Sequence, residues 1–151
     1  MTENEVVEIE SAFGCKLPHA YRHLLLEPPE MLVALMNAYA LENSDLEVPF
    51  FVKAEAIAAS NQEVRDPENG IVYDEEDESA MWPSEYFVIG GDCGGNMYCI
   101  QPASGVSTVF EWDHSGGDNF EKCADTMKEY VKLWFKELGV IAAMDCEDDL
   151  P

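Results

Sequence analysis

The stretch Phe87–Ile100, FVIGGDCGGNMYCI, sets two short apolar runs on either side of a gap that holds four glycines. If the gap cradles a phosphate, a helix must begin directly behind it. If it only turns the chain, a second strand follows. The glycines stand at 90, 91, 94 and 95, which is not the GxGxxG spacing of a dinucleotide loop. The residues behind the gap, NMYCIQP, read as a strand and so supply no helix N-terminus for an anion. No lysine stands nearby, and Asp92 would repel a phosphate. The stretch therefore predicts a wide hairpin or bulge, where glycine reaches positive φ at little steric cost.

Outward from this hairpin the second half of the chain is strand-like. Ile71–Tyr73, Tyr86–Ile89, Met97–Ile100 and Val106–Trp112 are β-branched or aromatic runs, separated by GGDCGGN, PASG and HSGGDN. That alternation of strand and turn signals predicts an antiparallel meander. The first half is helical instead. Val6, Ile9, Ala12 and Phe13 recur at helical spacing and stop at Gly14, a left-handed cap. Leu17, Tyr21, Leu24 and Leu25 form the stripe of a second helix opened by Pro18. Pro28-Pro29 ends it and opens a third through Met31, Leu32, Leu35 and Met36. Residues 47–52 make at best an edge strand, because Pro49 cannot donate to a ladder. Residues 53–65 are helical with Ile57 and Val64 inward, and DPENG ends them in a turn. A last amphipathic helix is expected over Phe120–Leu138, with Met127, Tyr130, Val131, Trp134 and Leu138 on one face. Helices first, strands later and a helix last give an α+β fold, an antiparallel β-meander sheet partly covered by N-terminal and C-terminal helices. The expected organisation is one domain over residues 1–144 and an acidic tail, 145–151, that frays.

The charge is lopsided. In 151 residues, 31 acidic side chains face 8 basic ones, a net charge of −23. Affinity for nucleic acid and for anionic membrane comes largely from Lys and Arg, so neither is an expected partner. A basic protein partner is, since such a field accelerates its approach by about 10–10³-fold at low salt. Five cysteines without a CxxC pair point to reduced thiols, and the acidic N-terminus lacks a signal-peptide pattern, so a cytoplasmic location is expected. No apolar run is long enough to span a bilayer.

Candidate chemistry is sparse. Cys93 and Cys99 flank a turn without zinc-ligand spacing, and buried free cysteine packs as a small hydrophobe. His19 and His23 share a helix face at i, i+4, but the Glu of an HExxH motif is missing between them. Asp113-His114-Ser115 tempts towards a catalytic triad, yet adjacent side chains on an extended segment point to opposite faces. DHSGGD offers too few oxygens for calcium. No metal, no cofactor and no enzymatic activity are therefore expected. Asp74, Glu75, Glu76, Asp77 and Glu78 are five consecutive carboxylates flanked by Tyr73, Met81 and Trp82, and aromatics beside charge recur at protein interfaces.

Taken in order, VVEIESAFGCKLPHAYRHLLL, NQEVRD, WPSEYFVIGGDCGGNMYCI, VSTVFEWDH and the closing amphipathic helix resemble the SUKH superfamily of Smi/Knr-type proteins. The matching positions are Leu17, Pro18, Tyr21, Asn61, Arg65, Ile89, Gly90, Asp92, Gly95, Asp113 and His114. Pro28-Pro29 departs from the Asn-Gly-Gly that many relatives carry, and the acidic tail lies outside the pattern. The resemblance implies a non-enzymatic α+β domain. In its bacterial branch it implies an immunity protein of a polymorphic toxin system, which binds a cognate toxin, frequently a nuclease. Other members are regulatory or scaffold proteins, so an intracellular adaptor is the alternative. The surface expected to meet a basic partner comprises Asp74, Glu75, Glu76, Asp77 and Glu78 for steering, Trp82 as an anchor, and Asp92, Asp113 and Asp118 as a second rim.

Overall fold

The computed structural model describes residues 1–42, 45, 47–66, 68, 81–115 and 119–137. Ile71–Tyr73, the Asp74–Glu78 run, Asp118, Leu138, Cys146 and the acidic tail lie outside the described residues.

Four helices come first. α1 (Glu3–Phe13) starts on a capping box in which Thr2 and Glu5 satisfy each other's backbone N–H, and stops at Gly14 with φ 62°. α2 (His19–Leu26) buries Tyr21, Leu24 and Leu25. α3 (Glu30–Glu42) buries Leu32 and Met36, while Met31, expected on the inner stripe, is exposed. α4 (Ala54–Glu63) buries Ile57, Ser60 and Asn61. Four strands follow, β1 (Phe87–Gly91), β2 (Met97–Ile100), β3 (Val109–Trp112) and β4 (Phe120–Ala124), and α5 (Met127–Glu137) is the last element among the described residues. The sheet is the expected antiparallel meander, in the order β1-β2-β3-β4. One expectation fails here: Phe120–Ala124 is a strand paired with β3, and the last helix begins only at Met127.

The edge of β1 is finished by groups that are not strand residues. The Asn61 side chain donates to Val88 O at 2.7 Å and accepts from Val88 N at 2.9 Å, imitating a ladder partner. Arg65 clamps this arrangement by donating to Asn61 Oδ1 at 2.8 Å and Tyr86 O at 2.6 Å, and lies over the Phe13 ring. Residues 47–52 are not a regular strand, yet they bind the same edge: Phe51 N donates to Ile89 O and Gly91 N donates to Val48 O, both at 2.8 Å. Tyr130 of α5 donates to Pro49 O, so the segment is held from the helix side too. The core gathers Val6, Tyr21, Leu24, Phe50, Phe51, Ile57, Phe87, Ile100, Met127 and Phe135.

Alternation divides the sheet into two faces. Phe110, Trp112 and Phe120 lie in register on one, where Trp82 and Tyr86 pack on them as an aromatic cluster. Tyr98, Glu111 and Glu121 lie on the other, where Tyr98 meets Tyr130 and Trp134 of α5.

Candidate functional site

In a four-stranded meander the first and third connections emerge at the same end of the sheet. The β1–β2 turn and the residues leaving β3 are thereby neighbours, although about twenty residues apart in sequence. The opening motif is a turn, as its sequence predicts. Asp92 organises it: Oδ1 accepts from Gly94 N at 2.8 Å and from Asn96 N at 3.0 Å, and Oδ2 accepts from Asn96 Nδ2 at 3.2 Å. Only Gly95 of its four glycines takes a positive φ, 90°.

Asn96 then ties the two connections together. Its Nδ2 also donates to Glu111 Oε1 at 3.3 Å, and its Oδ1 lies 3.4 Å from both His114 N and His114 Nδ1. Around it the sheet end gathers Asp92, Glu111, Asp113 and Glu121, with a hollow of about 200 Å³ between Glu111, Asp113, Asn119 and Glu121. Partial burial and the carboxylates of Asp92 and Asp113 push the Glu111 carboxyl above its usual range, against the hydrogen bond from Asn96, and Glu121 adds to the push. Burial is the largest cause of that shift, and the neighbouring carboxylates add to it at this end of the sheet.

Asp92 and Asp113 are both brought to this end of the sheet. Glu111 and Glu121, which complete it, were not among the expected residues. Their signal is the register pairing Glu111 with Glu121, which a sequence does not carry before β4 is recognised as a strand. Asp74, Glu75, Glu76, Asp77, Glu78 and Asp118 lie outside the described residues. Trp82 is 4% exposed and packs edge-on against Trp112 and Phe120, with Nε1 donating to Tyr86 O at 3.1 Å. An anchor inserted into a partner needs an exposed ring, so Trp82 is placed as a core residue and not as an anchor.

Asp113-His114-Ser115 is a turn rather than the expected extended segment. Ser115 donates to Asp113 Oδ1 from both N, at 2.8 Å, and Oγ, at 2.7 Å. His114 faces Asn96 instead, so Ser, His and Asp are not strung in the order a triad needs. His19 and His23 have ring centroids 6.4 Å apart. Among the described residues no group of three or more His, Cys, Asp or Glu could hold a metal ion. Cys99 is buried and Cys15 and Cys123 partly so, whereas Cys93 is exposed at the tip of the β1–β2 turn, against the expected burial. Among the described residues no helix is long and apolar enough to cross a membrane.

Two kinds of finding from known proteins bear on this arrangement. The model of the SMI1 / KNR4 family (SUKH-1) matches residues 1–133. No curated protein and no solved structure gives a significant match.

Proposed function

The chain belongs to the SMI1/KNR4 family (SUKH-1), and from that premise we propose that it is an immunity protein that binds and neutralises a cognate toxin in the cytoplasm. It works by occupying the toxin's basic surface and carries out no chemistry itself. The observation that carries this reading is the convergence of Asp92, Glu111, Asp113 and Glu121 at one end of the sheet, in a chain of net charge −23. A nuclease must present cationic groups to hold phosphates, so a rigid array of carboxylates competes for the same groups. Its long-range field raises the rate of encounter, and screening by salt lowers it. The Asp92–Asn96–Glu111 hydrogen bonds hold the array in place before binding, which reduces the ordering cost of association. The run Asp74–Glu78 extends the acidic surface in this proposal.

Co-expression with a candidate toxin, sought in the adjacent gene, tests the reading. Survival should depend on this chain, and the two proteins should co-purify as a stable complex. In the triple variant Glu111→Gln/Asp113→Asn/Glu121→Gln, association measured by surface plasmon resonance should slow about tenfold at low salt. Survival without complex formation, or an association rate indifferent to the three changes, would remove the sheet end from the mechanism.

A further inference from the structure

Basic side chains are scarce in this chain, with eight Lys and Arg against 31 Asp and Glu. Lys16, Arg22, Lys53 and Lys122 each pair with a carboxylate, and Arg65 is spent inside the fold on Asn61 and Tyr86. Lys132 and Lys136 differ. They stand four apart on α5, and neither has an ion-pair partner among the described residues. Like charges at i, i+4 repel on a helix surface, so the arrangement gains only when an anion reaches both.

The two lysines wall an open groove of about 500 Å³ between α5 and β4. The opposite wall is Lys122 to Asp125, the last three residues of β4 and the one after it, where the pairing with β3 shifts register between Val109 and Phe110. β4 is last in the order of the sheet, which leaves its outer edge without a strand partner among the described residues. Asp125 and Glu129 also line the groove, but both are engaged: Asp125 accepts from Lys122 Nζ at 2.5 Å, and Glu129 Oε2 accepts from Asp125 N at 3.1 Å. Leu133, 44% exposed, supplies an apolar contact on the same wall as the two lysines.

We propose that this groove docks an extended acidic segment of a partner protein, which runs beside β4, sets carboxylates on Lys132 and Lys136 and rests an apolar side chain on Leu133. Edge addition supplies backbone hydrogen bonds, and the lysines and Leu133 select the sequence. The partner surface that meets the acidic sheet end must be basic; a segment of opposite sign beside it would distinguish the true partner from any other cationic protein. The inference stands on the groove alone and does not depend on the partner's being a toxin.

A short fluorescein-labelled peptide alternating glutamate and valine is the probe, titrated with the full chain and followed by anisotropy at low salt. The chain as a whole repels such a peptide, so binding requires a local basic site. Binding should weaken about tenfold in Lys132→Glu/Lys136→Glu and less in Lys132→Gln/Lys136→Gln, with circular dichroism unchanged in both, and Lys16→Glu should leave it as it is. Equal binding to wild type and to the double charge reversal overturns the proposal. So does tighter binding to the full chain carrying Asp145→Asn/Glu147→Gln/Asp148→Asn/Asp149→Asn than to one carrying Glu8→Gln/Glu55→Gln/Glu63→Gln/Glu85→Gln, which removes as many charges at exposed positions elsewhere; that difference would make the chain's own carboxylates the occupant. Self-association in sedimentation that is lost with the lysines would assign the groove to a second copy, and would overturn it as well.

Discussion

Gly90 carries no side chain because the carbonyl oxygen of Pro49 lies where one would begin: a Cβ there would sit 2.0 Å from it. The requirement is close approach, not a left-handed backbone, since Gly90 is not among the positive-φ glycines. Gly90→Ala must push residues 48–51 off the edge of β1 and strain the bonds from Phe51 N and Gly91 N. The expected cost is about 3 kcal/mol in urea unfolding. Gly14→Ala, with φ 62° but nothing within 4 Å of its Cβ, should cost only about 1 kcal/mol. A glycine motif is visible in a sequence; whether it answers to φ or to a neighbour's carbonyl depends on Pro49, some forty residues away. Glu111 makes a second test, with a definite sign. Burial and its acidic neighbours raise its folded-state pKa, so its ionised form is disfavoured by folding above that value, and the penalty fades as pH falls towards the unfolded value of about 4.3. Glu111→Gln should therefore raise the melting temperature at pH 7 and lose its advantage near pH 4. Because the side chain is half-exposed, solvent screening keeps the gain small. Glu10 has the opposite sign. Burial pushes its carboxyl up, but Lys16, the N–H of Leu17 and Arg22 together hold it below the usual range. Its contribution is present above the unfolded pKa and is lost as pH falls through the folded one. Glu10→Gln should therefore destabilise at pH 7 and have little effect in acid.

β4 is the element that sequence periodicity misreads, and the reason is specific. Phe120, Ala124, Met127, Val131 and Trp134 follow one another at intervals of four and three, so a strand and a helix join into one apparent helical stripe. What separates them is polar and also visible. Thr126 and Glu129 have capping-box spacing; Thr126 Oγ1 accepts from Glu129 N at 3.2 Å, and the Glu129 carboxylate reaches back to Asp125 N at 3.1 Å. That cap fixes the start of α5 at Met127 and leaves Phe120–Ala124 to pair with β3. Thr126→Ala should cost about 1 kcal/mol, read from the shift in denaturation midpoint. The same substitution at Thr108, which precedes β3 and is not a cap, should cost less. An equal loss at both positions would mean that the cap does not set the boundary. The first three strands of the meander are legible, because GGDCGGN, PASG and HSGGDN follow them. The irregular segment at 48–51 was legible only in part: Pro49 argues against a strand, but nothing local announces that its carbonyl accepts from Tyr130, far along the chain. The motif positions Asn61, Arg65, Gly90, Asp92 and Gly95 all serve the architecture of β1 and its turn. They identify the fold and say little about the surface that binds a partner.

At the scale of the whole molecule, a net charge of −23 acts on stability and on association with opposite signs. Carboxylates that repel one another in the folded state are relieved by counterions, because the screening length falls from about 30 Å at 0.01 M salt to about 8 Å at physiological strength. The free chain should thus melt several degrees higher in 0.3 M than in 0.01 M sodium chloride. The same counterions weaken the field that draws a basic partner in, so the association rate should fall over that range by an order of magnitude or more. If acidity served only to keep the chain dispersed, the first dependence would appear without the second. The two can be separated within one set of variants. Neutralising Glu111, Asp113 and Glu121 removes three charges of 31, so the salt dependence of melting should change little, whereas that of association should flatten if these residues face the partner. A triple variant that flattens neither, or both in proportion to three charges in 31, would assign the steering to the diffuse charge of the molecule and not to the end of its sheet.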